Sequence, residues 1–269
     1  MAYEGLLLEK NDGGVATVTL NVPDKLNAIT REVSQSLPLA ADELARDDDV
    51  RVVIVTGAGR GFCSGADVSM MAGGGVAASG GPQVSRYQRL QVTGWPHCDV
   101  FPHLDKPVIA AINGPCVGGG LSLALSCDIR IASENAFFSV AQVSRALVPD
   151  FGLTYYLPMA VGLSRAMELM FTAERFTAAD AKEFGMVSRV VATDELMSAA
   201  GELAGRIAAQ PPVSVSLAKR MTWRSMFDGL ARQLDLETWA TRIAAQTEDH
   251  QASVRAFLNK EPAPKYKGR

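Results

Sequence analysis

The chain has 269 residues, 48% of them hydrophobic, which is enough to bury a large core in one domain with a smaller appendage. Its 26 Lys and Arg and 29 Asp and Glu give a net charge of −3, so no basic excess indicates nucleic acid as a partner. No apolar run reaches the length of a membrane span, and the first residues lack the pattern of a secretory signal. The four cysteines and three histidines form no metal-site pattern, so we expect reduced thiols in a cytoplasmic protein without a metal.

The N-terminal part predicts a hairpin followed by a helix. Residues 15–20 alternate apolar and polar side chains, which is typical of a half-buried strand, and residues 6–9 are its expected partner. A helix is expected over residues 30–46, with Thr30 as a good N-cap. We expect this helix to be broken or kinked near Pro38, because proline removes a helical N–H and clashes with the preceding turn.

Two buried strands each run into a glycine-rich turn. Residues 51–56 and 108–112 are dominated by apolar side chains, as in strands that are buried on both faces. Residues 57–61 follow the first strand, and the triplet at residues 118–120 follows the second. A strand–glycine–helix turn leaves N–H groups at the positive end of a helix, where they suit an anion or an oxygen that becomes one during a reaction. The glycines alone fit close helix–strand packing equally well.

The rest of the chain predicts mainly helices. Residues 70–82 are rich in glycine and alanine, so we expect them to be mobile when the site is empty. Residues 87–95 are predicted to be helical, and short strands are predicted at 129–132 and from Phe137. Further helices are predicted at residues 164–171, 177–185, 194–210, 213–227, 230–246 and 248–258. Ser164 is expected to cap the first of them, and a capping box at Thr177 is expected to begin the second.

The two glycine-rich segments together resemble the crotonase family, that is, enoyl-CoA hydratases and isomerases. The family's first motif is matched by residues 62–68 (FCSGADV). Its second motif is matched by residues 106–114 (KPVIAAING) followed by the glycines at 118–120. Two motifs in this order and at this separation are highly specific, and the resemblance extends from Val15 to about Lys260.

This resemblance implies an α/β fold, a crotonase-like spiral of ββα units with a helical C-terminal oligomerisation region. The spiral core with the CoA and acyl site is expected over residues 1–200. The C-terminal helical region is expected over residues 201–269, for trimerisation and as part of the CoA site. The implied assembly is a homotrimer, or a hexamer made of two trimers. Coenzyme A is part of the substrate, so no separate cofactor is expected.

The resemblance also assigns the binding residues. The backbone N–H groups of Ala66 and Gly119 would form an oxyanion hole for an acyl-CoA thioester. The other positions that it implies for substrate and CoA binding are Lys25, Leu26, Ala28, Gly65, Asp67, Val68, Gly118, Phe257 and Lys260. The last two match an aromatic–basic pair that the family uses near the nucleotide, here expected to act across a subunit boundary.

Hydratases of this family add water with two glutamates, and this chain has neither. The first position, two residues after the glycine triplet, is Ser122, and the second is Gln142. Neither side chain ionises usefully at neutral pH, which argues against the two-carboxylate addition of water. In isomerases of the family a single carboxylate can stand eight residues beyond the second position, where this chain has Asp150.

Asp150 is therefore the candidate proton carrier. One carboxylate is enough to remove a proton at one carbon of a substrate and to return it at another. The flanking Pro149 and Phe151 would partly desolvate this carboxyl group, and desolvation raises a carboxyl pKa towards a working value. The alternative is a turn aspartate that accepts bonds from backbone N–H groups.

Three functions stay open at this point. The leading one is an enoyl-CoA isomerase that shifts a double bond through a thioester enolate. The second is an enoyl-CoA hydratase, a lyase, or another reaction of the family that uses groups such as His97 or a tyrosine. The third is a non-catalytic acyl-CoA-binding protein. The first two belong to fatty acid metabolism, while the acyl chain length and the double-bond position depend on a pocket that the sequence does not define.

Overall fold

The computed structural model describes residues 3–67, 99–262 and 264. The strands of this part of the chain are β1 (Leu6–Lys10), β2 (Val15–Leu20), β3 (Val52–Gly57), β4 (Val108–Ile112), β5 (Cys116–Val117), β6 (Ile129–Ser133), β7 (Phe137–Ser139), β8 (Arg175–Thr177) and β9 (Arg189–Val191). Its helices are α1 (Arg31–Arg46), α2 (Val100–His103), α3 (Gly119–Ser126), α4 (Leu153–Val161), α5 (Leu163–Thr172), α6 (Ala178–Glu183), α7 (Leu196–Ala208), α8 (Pro212–Ala245) and α9 (Glu248–Asn259).

Six of these strands form one sheet in the order β1-β2-β3-β4-β6-β9. β1 and β2 are antiparallel and form the predicted hairpin, with Leu6 opposite Leu20. The other neighbouring pairs of this sheet are parallel. Because parallel strands end at the same edge of a sheet, the glycine-rich turns after β3 and β4 are neighbours.

β3 and β4 are buried on both faces of the sheet, as their apolar sequences predict. On one face, Ile54 and Ile109 share a core with Ala200 of α7. On the opposite face, Val55 and Ala110 belong to a larger core that also includes residues of α1 and α3. A one-residue slip would exchange the two faces of a strand, so this double burial fixes the register and holds the strand ends in place.

A second, three-stranded sheet has the order β5-β7-β8. β5 and β7 are parallel, and β7 and β8 are antiparallel. Phe138 of β7 and Phe176 of β8 stack with their ring centroids 5.3 Å apart, and both side chains are buried. β5 directly precedes the glycine turn of α3, and β7 directly precedes the segment that carries Gln142, so this sheet joins two parts of the candidate site.

Two of the predicted N-caps are confirmed. The side chain of Thr30 accepts a hydrogen bond from the backbone N–H of Val33 at the start of α1. Thr177 and Asp180 form the predicted reciprocal capping box at the start of α6. In both cases the side-chain oxygen satisfies an N–H group that has no acceptor inside its own helix.

The predicted break near Pro38 and the predicted cap at Ser164 are wrong. α1 continues through Pro38 and buries an apolar stripe that includes Leu37 and Leu44, while the alternative of a kink there stays a prediction. α5 begins at Leu163 rather than after a cap at Ser164, and Gly162 stands at its N-cap. Gly162 has φ +78°, so a glycine turn separates α4 from α5 without a side-chain cap.

The C-terminal helices differ from the prediction in continuity. Two helices were expected at 213–227 and 230–246, but α8 is one helix of 34 residues. An interior glycine costs a helix only about 1 kcal/mol relative to alanine, so Gly229 does not end it. The predicted boundary between residues 200 and 201 lies inside α7, and the division into domains stays a prediction. None of the described helices has the length and apolar character that a bilayer crossing requires.

Candidate active site

The turns after β3 and β4 are joined by backbone and side-chain hydrogen bonds. Asn113 follows β4, and its Nδ2 donates to the carbonyl oxygens of Gly57 and Gly59, each at 2.9 Å. Further along both turns, Cys63 and Cys116 pair as a parallel bridge, in which the N–H of Val117 donates to the carbonyl of Cys63 at 3.0 Å. The two segments therefore run side by side up to the start of α3.

Ala66 and Gly119, the predicted pair of N–H donors, lie where these turns touch. The N–H of Ile29 donates to Gly65 O at 2.8 Å and the N–H of Asp67 donates to Ile29 O at 3.3 Å, so the N–H of Ala66 faces away from residue 29. Gly119 is the first residue of α3, so its N–H has no acceptor within the helix. Among the described residues, neither N–H donates to a protein acceptor. A Cβ added to Gly65 would lie 3.3 Å from Gly119 N.

Gly118 permits the sharp entry into α3. Its backbone has φ +54° and ψ −119°, a conformation that residues with a Cβ rarely adopt. α3 is buried over its whole length, and its positive N-terminal end faces this turn. The two unpaired N–H groups and the helix end together form a site for an oxygen that gains negative charge during a reaction.

Gln142 and Asp150 form a buried pair beside this turn. Nε2 of Gln142 donates to Oδ1 of Asp150 at 3.1 Å, and the two residues are 7% and 5% exposed. A Cβ added to Gly118 would lie 3.6 Å from Nε2 of Gln142, so the pair adjoins the glycine turn. The structure thus brings together the second position of the missing glutamates and the candidate proton carrier, eight residues apart in sequence.

Ser122 supports the turn that follows Asp150. Its hydroxyl is buried and donates to the carbonyl oxygen of Phe151. Phe151 and Gly152 both have positive φ, +59° and +79°, so the chain reverses sharply here. The Phe151 ring reaches within 3.2 Å of a Cβ added to Gly119. Neither the approach of the Phe151 ring to Gly119 nor the hydrogen bond from Ser122 was expected from the sequence, because no local pattern predicts contacts between such distant segments.

The residues predicted near the nucleotide of CoA run alongside the first motif. Lys25 is half exposed and pairs with Asp67, with 2.6 Å between Nζ and Oδ2. The hydrogen bond to Asp67 raises the pKa of Lys25. The carbonyl oxygen of Leu26 accepts from the N–H of Ser64 at 2.9 Å, and Ala28 is buried. These contacts place residues 25–28 beside residues 64–67.

Asn27 is a structural residue of this loop that the sequence analysis missed. It is fully buried, and its Oδ1 accepts from the N–H of Val22 at 3.0 Å. Its Nδ2 donates to the carbonyl oxygens of Ala58 at 2.9 Å and Gly61 at 2.7 Å. The only sequence signal is an asparagine in a loop, which is common in turns that need φ above zero, and Asn27 has φ +55°.

The C-terminal helix α9 packs on the residues that follow Gln142. The guanidinium group of Arg145 lies 4.5 Å from the centroid of the Phe257 ring. Nδ1 of His250 is 3.0 Å from the carbonyl oxygen of Arg145, and Ser253 Oγ donates to the carbonyl of Ser144 at 3.2 Å. Lys260 is exposed at the end of α9. The nucleotide role assigned to Phe257 and Lys260 stays a prediction.

Several predicted features lie outside the described residues: Val68, the 70–82 stretch, the helix at 87–95 and His97. In the part of the chain that is described, no group of three or more His, Cys, Asp or Glu side chains could hold a metal ion. The described cysteines, Cys63, Cys116 and Cys127, are buried free thiols, and burial raises the pKa of Cys63 to about 12. These thiols stay protonated at neutral pH and act as packing groups.

Comparison with known proteins extends over nearly the whole chain. Residues 10–269 match the family described as Enoyl-CoA hydratase/isomerase. The chain is 37% identical to the short-chain-enoyl-CoA hydratase of Clostridium acetobutylicum, with 100% of both chains covered. It is 36% identical to the 1,2-epoxyphenylacetyl-CoA isomerase of Escherichia coli, with 98% of each covered. The solved structure of a carnitinyl-CoA hydratase from Mycobacterium avium superposes with a TM-score of 0.86 at 30% identity, covering 100% of both chains. The predicted α/β spiral fold is thereby confirmed.

Proposed function

The chain belongs to the enoyl-CoA hydratase/isomerase family, the crotonases, and from this premise we propose that it is an enoyl-CoA isomerase. Membership makes it an acyl-CoA enzyme, either a hydratase or an isomerase. The similar proteins include both kinds, so overall identity does not choose between them. The choice rests on which side chains stand beside the glycine turn.

We place the thioester oxygen of the substrate at the N–H groups of Ala66 and Gly119. Both N–H groups lack a protein acceptor among the described residues, and they lie where the two turns touch. Removing a proton next to a thioester carbonyl moves negative charge onto that oxygen. Two preorganised donors stabilise this charge, and one such donor typically contributes about 10²–10³ in rate.

Asp150 then carries the proton. In a 3-enoyl-CoA it removes a proton from C2, the electrons move into a dienolate, and the thioester oxygen takes the charge. The protonated Asp150 returns the proton at C4, which leaves the double bond between C2 and C3. This cycle requires neither a water molecule nor a second ionisable side chain. The buried position of Asp150, 5% exposed, keeps the proton from exchanging freely with solvent.

The single observation that supports an isomerase is the chemistry of the three candidate positions. Asp150 is the one carboxylate among them. The hydroxyl of Ser122 donates its hydrogen bond to the carbonyl of Phe151, and the amide of Gln142 cannot ionise. An isomerase needs one proton carrier, whereas the family's addition of water uses two carboxylates. A hydratase is the second candidate, supported by the overall similarity to the Clostridium enzyme. We also propose the assembly that the family implies, a homotrimer or a dimer of trimers.

A paired assay of 3-enoyl-CoA and 2-enoyl-CoA esters tests this function. We expect the native protein to convert the 3-enoyl ester into the 2-enoyl ester and to add little water to the latter. Asp150→Asn keeps the shape of the side chain but cannot accept a proton, so turnover should fall by about 10²–10⁴. The rate should also fall at low pH, as Asp150 becomes protonated, and the residual rate of Asp150→Asn should lack that dependence.

Asp194→Asn is the matched control, because Asp194 is exposed in the short turn before α7 and the same change there should leave turnover intact. Nearly full activity of Asp150→Asn would contradict the mechanism and make His97 or a tyrosine the next candidate. Hydration of the 2-enoyl ester as the faster reaction would favour a hydratase. Tight binding of both esters without turnover would favour a non-catalytic acyl-CoA-binding protein.

A further inference from the structure

The two ends of the Gln142 carboxamide have different surroundings. Nε2 donates to Asp150 Oδ1, and Oε1 is buried without a hydrogen-bond partner among the residues that the structure describes. The orientation of the amide follows from the proposed function, in which Asp150 is the base, because the oxygens of a carboxylate that is ready to take a proton only accept hydrogen bonds. The nitrogen must therefore face Asp150, and the oxygen is held on the opposite side. Gln142 is more than nine-tenths buried, so its acceptor is not simply hydrated at the surface.

The nearby hydroxyl groups in the described part of the chain do not supply the missing donor. Ser122 donates to the carbonyl of Phe151, and Ser139 donates to the carbonyl of Ala173 at 3.0 Å. Ser144 donates to the carbonyl of Ala141 at 2.8 Å. A buried acceptor without a partner is costly and uncommon in folded proteins. A group that arrives with the ligand would satisfy it.

The position of this acceptor defines which part of a ligand it can reach. A Cβ added to Gly118 would lie 3.7 Å from Oε1 of Gln142, and Gly118 directly precedes the donor Gly119. This step rests on the proposed function, which places the thioester oxygen at the Gly119 N–H. With the thioester there, the first carbons of the acyl chain are the ones that pass beside Gln142.

We propose that Oε1 of Gln142 accepts a hydrogen bond from a hydroxyl group on one of the first carbons of the acyl chain. Gln142 is then a specificity-determining residue, and the preferred substrates are hydroxylated acyl-CoA esters. A site that pairs a buried polar group with a substrate hydroxyl discriminates against the analogue that lacks it, because that analogue leaves the acceptor unpaired. The same carboxamide, through Nε2, orients the carboxylate of Asp150.

Binding without turnover tests this proposal. Calorimetry would compare butyryl-CoA with 2-, 3- and 4-hydroxybutyryl-CoA on the native protein and on Gln142→Met. Methionine is unbranched and of similar length but offers no comparable acceptor. We expect at least one hydroxylated ester to bind the native protein about 5-fold or more tighter than butyryl-CoA. In Gln142→Met this preference should shrink to within about 2-fold, while butyryl-CoA still binds.

Gln210→Met is the matched control, since the same change at an exposed position beyond α7 should keep the preference. Equal affinities of all four esters for the native protein would overturn the proposal, because water would then fill the acceptor with every ester. This comparison of the four esters uses only the native protein, so it tests the proposal even if Gln142→Met fails to fold. A preference that persists unchanged in Gln142→Met would also overturn it. Absence of butyryl-CoA binding would instead overturn the proposed function, and this inference with it.

Discussion

Gly65 lets the two turns of the candidate site approach each other. It has φ +95°, a conformation that side chains with a Cβ rarely adopt. A Cβ at this position would lie 2.8 Å from the carbonyl oxygen of Val117 and 3.3 Å from the nitrogen of Gly119. Both of these are backbone atoms of the neighbouring turn, so they cannot move aside as a flexible side chain would. The spacing of the two N–H donors therefore depends on this glycine.

Gly65→Ala should accordingly reduce catalysis more than it reduces stability. The added methyl group pushes the turns apart and misplaces one donor, so kcat should fall by about 10²–10³. Turnover of a 3-enoyl-CoA ester and thermal unfolding would be measured together. Gly201→Ala in α7 is the control, because a Cβ there meets no atom within 4 Å and should leave kcat unchanged. An active Gly65→Ala would mean that Ala66 or Gly119 does not hold the thioester oxygen.

For the individual residues of the candidate site, the sequence predicted which positions matter but not which side chains contact each other. Ser122, Gln142 and Asp150 were singled out by their places in the family pattern. That Gln142 bonds to Asp150, and that Ser122 holds the carbonyl of Phe151, could not be predicted. Ser122 lies on α3, whereas Gln142 and Asp150 lie in an irregular segment with positive φ at Ala146 and Phe151. Neither periodicity nor propensity predicts the backbone conformation of such a segment.

Among the secondary-structure elements, the strands lie close to the positions that their sequences predict. Residues 108–112 form β4 as predicted, because both faces of a strand with a fully apolar sequence are buried in the core. α8 shows the opposite case, since two helices were predicted, at 213–227 and 230–246, where one helix continues through Gly229. Local propensity is worth about 1 kcal/mol there, and the contacts that a long helix makes elsewhere outweigh it.

One such contact is a buried ion pair that fixes α8 to the sheet. Nζ of Lys219 lies 2.8 Å from Asp128 Oδ2 and donates to the carbonyl oxygens of Phe101 and Lys106. Trp223, one turn further on, donates from Nε1 to Asp128 Oδ1 at 2.6 Å. Burial lowers the pKa of Lys219, and the carboxylate of Asp128 opposes this shift, so the pair offsets part of the cost of burying a charge.

Lys219→Met should lower the free energy of unfolding by about 3 kcal/mol or more. Removing one partner of a buried pair leaves the other charge without compensation. Urea unfolding would measure the loss. Arg220→Met is the control, because Arg220 is the next residue of α8 and also pairs with an aspartate, Asp105, but at an exposed position. Solvent screens that pair, so its loss should change stability little. Equal effects of the two changes would mean that Lys219 does not fix α8.

At the scale of the whole molecule, the C-terminal helices reach back to the candidate site. Trp223 of α8 packs edge-on against Tyr156 of α4, with ring centroids 6.0 Å apart. α9 contacts residues 144 and 145, shortly after Gln142. The sequence predicted that this third of the chain is helical, but helical periodicity does not specify which distant segment a helix covers. Changes in the C-terminal third can therefore affect the site through packing as well as through direct binding.

Lys260 offers a test of the predicted nucleotide role that separates these two effects. It is exposed at the end of α9, and its side chain makes none of the contacts that fix α9 to Arg145. If Lys260 lies near the 3′-phosphate of CoA, Lys260→Ala should weaken binding of butyryl-CoA by about 2- to 5-fold, and high salt should remove the difference. The butyryl ester of dephospho-CoA, which lacks that phosphate, should bind both proteins equally. Lys182→Ala, an exposed lysine of α6, is the control. An equal loss of affinity for both esters would contradict a contact with the 3′-phosphate, because the substitution would then act through the packing of α9.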